Sequence, residues 1–585
     1  MWTGNWREET WSRLDQAWDL IIIGGGITGA GILREATRLG LRGLLLEQRD
    51  FAWGTSSRSS KLVHGGLRYL KEGKIGLTRA SVHERQRLLE DGPGLIDPLG
   101  FLLATYRGDN PGRWMYQAGL AVYDLLALQW SHQRYDASDF QKLAPNISAE
   151  GLKGGFRYGD AQTDDARLVL RVIREAVAAG GTALNYATVE TLLRNHRQVY
   201  GVQVRDGVSG AVAALSARVV VNATGAWADR LRGQLGAAPR IRPLRGSHLI
   251  FSAQRLPLSQ AVSFLHPFDR RPVFIFPWEG VTLVGTTDVD HAEALDVEPA
   301  ITAAEVAYLM AAADAQFPSL RLTLADVVAT YAGVRPVIGS GQADPSKESR
   351  DHVVWEEEGL LTVTGGKLTT FRLIALDVLR AVRHRLPALP AANDQQPVLN
   401  QVDVELAAVG TEPLRRRLLG RYGADAVALA AAAQPGEMEP LPGTLTTWAE
   451  LRWAARAEAV VHLDDLLLRR VRVGLLLPEG GAAHLPRVRA ICQAELGWDD
   501  ARWQAEEAAY RALWRRCYSI PAAATIPDWR PRLDAVRVQR QQKIALRQQR
   551  RRLTGALVSL ALSMAAVGLL WRLRRQVETR NRHAG

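Results

Sequence analysis

Cysteine is close to absent: Cys492 and Cys517 are the two in 585 residues. Two cannot build a disulfide framework, and neither sits in a Cys/His ligand spacing, so a reducing compartment and no metal are expected. The opening segment, MWTGNWREETWSRLDQAW, lacks the apolar core of a secretory signal. Its tryptophans, Trp2, Trp6, Trp11 and Trp18, are expected to cover a neighbouring surface. Acidic residues are all but missing from the C-terminal end. Residues 535–585 hold twelve Lys/Arg and one acid, Glu578, so this end carries nearly all of the net charge of +12. The body is therefore close to neutral, which argues against a nucleic-acid enzyme with a basic face. A G-x-S-x-G elbow, an H-E-x-x-H pair and a P-loop lysine are also missing, which removes three common hydrolytic and nucleotide-cleaving chemistries.

What is present begins at residue 19. DLIII reads as a short buried strand, and Gly24-Gly25-Gly26-Ile27-Thr28-Gly29 as a G-x-G-x-x-G turn opening an apolar helix that ends at Gly40. Leu44–Leu46 makes a second strand, and Glu47 at its end stands at the distance expected of a ribose-binding acid. The following stretch, GTSSRSSKLVHGGLRYL at 54–70, is rich in small hydroxyls and glycines and carries Lys61, His64, Arg68 and Tyr69. Residues 160–181 read as a helix capped by Thr163 or Asp164. Strands are expected at 182–193, 199–205 and 217–223, the last running into Thr224-Gly225. Residues 241–290 alternate strand and turn patterns.

The fold expected is α/β: a Rossmann-type dinucleotide domain with an inserted, sheet-rich substrate domain, a C-terminal α-helical domain and a terminal hydrophobic helix. The boundaries expected are an arm at 1–17, an oxidoreductase domain at 18–395 with the substrate domain interleaved at about 80–155 and 240–350, a helical domain at 396–533, and a basic segment at 534–585. Within the last, Leu553–Trp571 is free of formal charge and long enough to cross a bilayer, at ~20 residues. Seven Lys/Arg precede it and five follow, a weak bias that would keep the body cytoplasmic. A helix lying on an anionic leaflet fits the same pattern.

The glycine-rich turn alone does not separate NAD from FAD. A second cluster, Thr364-Gly365-Gly366-Lys367-Leu368-Thr369-Thr370, opens another helix; two helix N-termini on one cofactor suit FAD, where the second can face the reduced ring. Arg68, Arg335, Arg350 and Lys367 lie beside glycine-rich or strand-end segments, and together they suit an anion such as phosphate. His64 and His248 are the proton acceptors available near neutral pH, and His248 is the better placed. Asp464-Asp465 before Arg469-Arg470 reads as an interdomain ion-pair patch, and Thr286-Thr287-Asp288 as a turn stabiliser near the site.

DLIIIGGGITGAG, GTSSRSSKLVHGGLRYL, VVNATGAWAD, RGSHLIF, VGTTD, YAGVRPV, SRDH and TGGKLTTFR, in this order, resemble the FAD-dependent (aerobic, respiratory) glycerol-3-phosphate dehydrogenases over about residues 18–380. HLDDLLLRRVRVGL extends the resemblance into the helical domain. The resemblance implies oxidation of sn-glycerol 3-phosphate to dihydroxyacetone phosphate by hydride transfer to FAD, with electrons passed to membrane quinone. It implies substrate contacts from Arg68, Tyr69, His248, Arg335, Arg350 and Lys367, with His248, Arg335 and Lys367 at the chemistry. It implies FAD contacts from Gly24, Gly26, Gly29, Glu47, Thr55, Ser56, Ser60, Lys61, Gly225, Gly365 and Gly366. The implied setting is the cytoplasmic face of the inner or plasma membrane, with the lipid bilayer as partner and room for a homodimer. The terminal apolar run is a departure from the resemblance, because such enzymes usually sit on the membrane without one.

Overall fold

The structure is a computed structural model that describes residues 2–66, 73, 75–109, 112–127, 131–339, 351–387, 396–406 and 409–582. Two sheets organise the first two thirds. The nucleotide sheet runs in the order Val353–Glu357, Leu360–Thr364, Val212–Asn222, Trp18–Ile23, Gly43–Leu46, Thr182–Leu184, parallel except at the Val353–Glu357 edge. Its central strands are continuous apolar runs because both faces are covered, one by helices and the other mainly by the strands Ala187–Asn195 and Gln198–Asp206: all six residues of Trp18–Ile23 and all four of Gly43–Leu46 are buried. The helix Ile27–Arg38 packs between this sheet and the helices Asp165–Ala178 and Phe371–Ala381.

The Asp165–Ala178 helix is capped as its sequence requires, with the Asp164 carboxylate accepting from Arg167 N at 3.2 Å. The strand expected at 182–193 is two strands, Thr182–Leu184 and Ala187–Asn195, broken where Tyr186 takes a left-handed conformation (φ 51°). The second sheet has ten strands among the described residues and is built around the long strands Ile96–Tyr106, Leu152–Thr163, Ile241–Ser252 and Val327–Ile338. Ile241–Ser252 lies between Val281–Gly285 and Val327–Ile338, pairing antiparallel with both. Three of these long strands fall within 80–155 or 240–350, but Leu152–Thr163 runs past 155 and takes residues 160–163 from the helix expected at 160–181, which begins only at Asp165, after the Asp164 cap. The short strand Leu62–Val63 also joins this sheet, so the polar 54–61 loop bridges the two sheets.

The C-terminal domain is helical, including Glu412–Tyr422, Trp448–Ala457 and Asp500–Cys517. Its ion pairs reach into the first domain. Arg469 and Arg470 both donate to Asp50, Arg472 contacts Asp164 and Asp165, Arg167 pairs with Glu458, and Arg421 with Asp164. Asp465 accepts from Arg469 and from Tyr186 Oη, making the Asp-Asp-Arg-Arg segment an interdomain junction. Both cysteines are buried and unpaired.

One helix, Arg530–Arg582, closes the chain. The basic stretch and the apolar run are continuous in it because residues 537–552 are mostly good helix formers, Gln, Arg, Leu and Ala. Trp529 Nε1 donates to Asp314 at 2.6 Å and Arg540 pairs with Asp109 at 2.7 Å, so this helix's first turns dock on the body. Gln541 donates to Glu150 at 2.8 Å and Arg547 to Gly108 O at 3.3 Å, and past these the apolar run is uncovered: Leu557, Leu562 and Leu570 are each 66% exposed.

Candidate functional site

A cleft opens at the C-terminal ends of the parallel strands, where ligands bind in open α/β sheets. Gly24 can make the turn after the first strand because it takes φ 113° and because a Cβ there would stand 2.6 Å from Ala223 O. Gly29 lets the helix approach that turn; a Cβ would lie 1.9 Å from Gly24 O. Gly26 is the helix N-cap and supplies no side-chain cap, so the backbone donors of the first turn face the cleft. Ser56 Oγ accepts from Ile27 N at 3.0 Å. Glu47 closes the far end, accepting from Gly25 N at 2.7 Å and from Arg49 N at 2.9 Å. Burial raises its carboxyl above the usual range, a shift those two backbone donors only partly offset.

The second glycine cluster arrives on the opposite wall. Gly365 and Gly366 take φ 78° and 80°, and both line the cleft with Gly225, Thr55 and Lys367. A short 3-10 turn, Leu368–Thr370, leads into the helix Phe371–Ala381. Two glycine turns, two helix starts and a carboxylate therefore converge on one elongated cleft. That donor set fits a dinucleotide: backbone N–H groups for the pyrophosphate, Glu47 for a ribose, and the 365–368 turn for the second half.

Beside the cleft lies a buried polar cluster. His248, on Ile241–Ser252, pairs in register with Gly285 on one side and Tyr331 on the other. Its ring stacks on Tyr331 with centroids 4.5 Å apart, and Nε2 meets Ser60 Oγ at 2.9 Å. Nδ1 has no hydrogen-bond partner among the described residues. Burial, Arg335 and Lys61 together hold the imidazole well below its usual pKa, so it is neutral at pH 7. Arg335 is 22% exposed, donates to Asp288 at 3.0 Å and to Thr286 Oγ1 at 3.1 Å, and so sits at the same end of the strand Val281–Gly285 as His248. Gly246 and Gly285 make that room. A Cβ on Gly246 would meet the Arg335 guanidinium at 2.2 Å, and one on Gly285 would meet the His248 ring at 2.1 Å.

These positions sort the expected site residues. Gly24, Gly26, Glu47, Thr55, Ser56, Gly225, Gly365, Gly366 and Lys367 line the cleft, while Gly29 shapes it from beneath. Lys367 Nζ also reaches Ser81 Oγ at 3.3 Å. Arg68, Tyr69 and Arg350 lie outside the described residues. Ser60 and Lys61 are not among the lining residues. Ser60 is turned to His248. Lys61 is fully buried, donating to Asp165 at 2.9 Å and to Ser57 O at 3.1 Å, because an ammonium with no access to water needs a carboxylate. Burial and Arg472 lower its pKa to about 8 against the pull of Asp165. Tyr331, Asp165, Gly246 and Gly285 shape this cluster and were not assigned to the site from the sequence. Tyr331, Gly246 and Gly285 lie in the motifs YAGVRPV, RGSHLIF and VGTTD, whereas Asp165 carried no signal.

The FAD dependent oxidoreductase family matches residues 19–372, and the C-terminal domain of alpha-glycerophosphate oxidase matches 399–503. The chain is 36% identical over 537 residues to glycerol-3-phosphate dehydrogenase 2 of Mycobacterium tuberculosis, covering 86% of this chain and 90% of that one. It belongs to the FAD-dependent glycerol-3-phosphate dehydrogenases. The aerobic glycerol-3-phosphate dehydrogenase of Staphylococcus aureus is 37% identical over 481 residues, 77% of this chain and 86% of that protein. The solved glycerol-3-phosphate dehydrogenase of Bacillus halodurans, complexed with FAD, superposes with a TM-score of 0.71 at 28% identity, covering 88% of this chain and 98% of the other. The cofactor of this dehydrogenase is accordingly FAD, and the cleft's donor set fits it.

Proposed function

We propose that the protein oxidises sn-glycerol 3-phosphate to dihydroxyacetone phosphate and passes the electrons to a membrane quinone from a position anchored by its terminal helix. The observation that supports the chemistry best is the placement of His248 and Arg335 at one strand end beside the cleft. FAD, when bound, supplies the acceptor for the hydride that leaves C2. The protein's residues handle the rest. With Nε2–H directed to Ser60 Oγ, the neutral His248 keeps a lone pair on Nδ1, and that nitrogen takes the C2 hydroxyl proton. Arg335, fixed by Asp288 and Thr286, stabilises negative charge on the C2 oxygen as the carbonyl forms. Lys367, with Arg68, Tyr69 and Arg350, holds the phosphate.

The body is proposed to lie on the cytoplasmic side. A helix carrying an apolar run of mean hydropathy 2.1, none of it buried, leaves the body with basic residues on both sides of that run. Apolar surface of that extent is unstable in water and stable in a bilayer. The test is anaerobic addition of glycerol 3-phosphate to the purified flavoprotein: the flavin absorbance should bleach, and no bleaching would end the assignment. A chain ending at residue 552 keeps the docking contacts of Trp529 and Arg540. It should bleach normally yet lose quinone reduction in vesicles. Rapid peroxide formation with slow quinone reduction would instead identify an oxidase.

A further inference from the structure

A buried carboxylate stands behind Arg335, and a second guanidinium stands behind the carboxylate. The Asp288 side chain has no surface open to solvent. Its Oδ1 accepts from Arg335 Nη1 at 3.0 Å, and its Oδ2 lies 3.0 Å from Arg271 Nη2. Arg271 Nη1 also donates to Asp288 O at 3.2 Å, so both terminal nitrogens of Arg271 are committed to this one residue.

Both partners are fixed by the fold before any substrate arrives. Arg271 closes a tight turn just ahead of the strand Pro272–Trp278, and His266 N donates to Arg271 O at 2.7 Å. Tyr308 Oη donates to Asp269 in that turn at 3.0 Å, and Arg532 lies over the Phe268 ring at 4.2 Å. On the other side, Thr287 precedes Asp288; its Oγ1 donates to Glu305 at 2.7 Å and accepts from Ser247 N at 2.8 Å.

A guanidinium paired one to one with a carboxylate is well oriented but electrostatically weakened. The carboxylate repels the same oxyanion that the guanidinium attracts, and a site sheltered from water screens neither. Arg271 removes that conflict. Two guanidiniums and one carboxylate leave one positive charge in excess among the three side chains.

We propose that Arg271 is a positioning residue for the dehydrogenation, acting through Asp288: it offsets the carboxylate's charge, so that Arg335 is held in place and keeps its pull on the C2 oxygen. The proposal rests on the role of Arg335 given above and adds a residue to it. Asp288 supplies direction, and Arg271 restores the field that this direction would otherwise cost. Preorganised charge of this kind acts on the transition state more than on substrate binding.

The test is anaerobic stopped-flow reduction of the full-length, FAD-loaded enzyme over a range of glycerol 3-phosphate concentrations. This separates the limiting rate of flavin reduction from the apparent Kd. Arg271→Met should lower the limiting rate roughly tenfold, with little change in Kd. Arg271→Lys keeps the charge and should recover most of that rate. The double variant Arg271→Met with Asp288→Asn again leaves one positive charge at the three positions. It should therefore reduce flavin several-fold faster than Arg271→Met alone, although it lacks one more native contact. A double variant no faster than Arg271→Met would mean that Arg271 only packs the turn, which overturns the proposal. A loss carried by Kd with the limiting rate unchanged would make Arg271 a phosphate ligand, and that overturns it too. No reduction of the unaltered enzyme would instead end the substrate assignment, and the proposal with it.

Discussion

Gly285→Ala tests whether the position of the His248 ring controls the chemistry. The added methyl would stand 2.1 Å from His248 Cδ2 and 2.6 Å from Nε2, against an ordinary contact of about 3.4 Å, so ring or strand must yield by roughly 1.3 Å. The ring has little freedom to do so alone: Tyr331 is stacked on it at 4.5 Å, and Nε2 is bonded to Ser60. Overpacking of this kind costs about 1–3 kcal/mol of stability, which a chain of this size tolerates. A displacement near 1 Å at the reacting groups costs on the order of 10²-fold in rate. The assay is anaerobic stopped-flow bleaching of the flavin by glycerol 3-phosphate, with FAD content read from the absorbance spectrum. The rate should fall about 100-fold while FAD content is unchanged, because Gly285 does not line the cleft. Gly233→Ala is the control, since a methyl there meets nothing within 4 Å. Bleaching at close to the unmodified rate in Gly285→Ala would refute the coupling of ring position to catalysis.

His248→Ala should slow bleaching by about 10²- to 10⁴-fold. Because burial, Arg335 and Lys61 hold the His248 pKa well below 6.5, kcat/KM of the unaltered enzyme should show no titration near pH 6.5 that His248→Ala removes. Glu47→Gln should weaken FAD by roughly 10- to 100-fold through loss of a charged acceptor, as measured by flavin release on dilution. Asp50→Asn should cost about 3–5 kcal/mol in denaturant unfolding, because Arg469 and Arg470 lose their shared buried carboxylate. Burial alone would raise the Asp50 pKa, but Arg470 and Arg469 outweigh it and hold it low. Its contribution is therefore complete above the unfolded value of about 3.9 and lost as pH falls through the lower folded value. The deficit of Asp50→Asn should accordingly shrink in acid.

The elements that the sequence made legible are those whose signal is local. A buried strand feeding a glycine turn has one good backbone solution, and the Asp164 cap and the Gly24 and Gly365 turns follow from that. The Asp464–Arg470 segment could be read as a junction because buried charges of both signs four residues apart need partners. The substrate end was less legible, because its geometry comes from strand register. Nothing near residues 246 or 285 announces that these glycines face Arg335 and His248; only the pairing of three strands brings them there. Lys61 was misplaced along the cofactor for a related reason. A lysine in a small-residue loop looks anion-directed until the fold supplies Asp165, 104 residues away in the chain, as its partner.

The same carboxylate explains why the C-terminal domain matters to the cleft although none of its described residues lines it. Among the described residues, none beyond Leu368 lines the cleft, yet Asp165 accepts from Ser59 N at 2.9 Å, Ser59 Oγ at 2.8 Å, Lys61 Nζ at 2.9 Å and Arg472 Nη2 at 2.5 Å. Arg472 also donates to Ser57 O at 2.8 Å. Ser60 is held between Ser59 and Lys61, and Ser60 is the residue bonded to His248. Burying these charges contributes little net stability, since desolvation offsets much of the attraction. What it contributes is direction. Each donor and acceptor is satisfied in one arrangement of residues 57–61, so sliding the loop by one residue would strand a buried ammonium or a carbonyl. The C-terminal domain thus sets the hydroxyl that orients the imidazole, and a substitution at Arg472 should be felt in the pH profile and rate of flavin reduction before it is felt in FAD content.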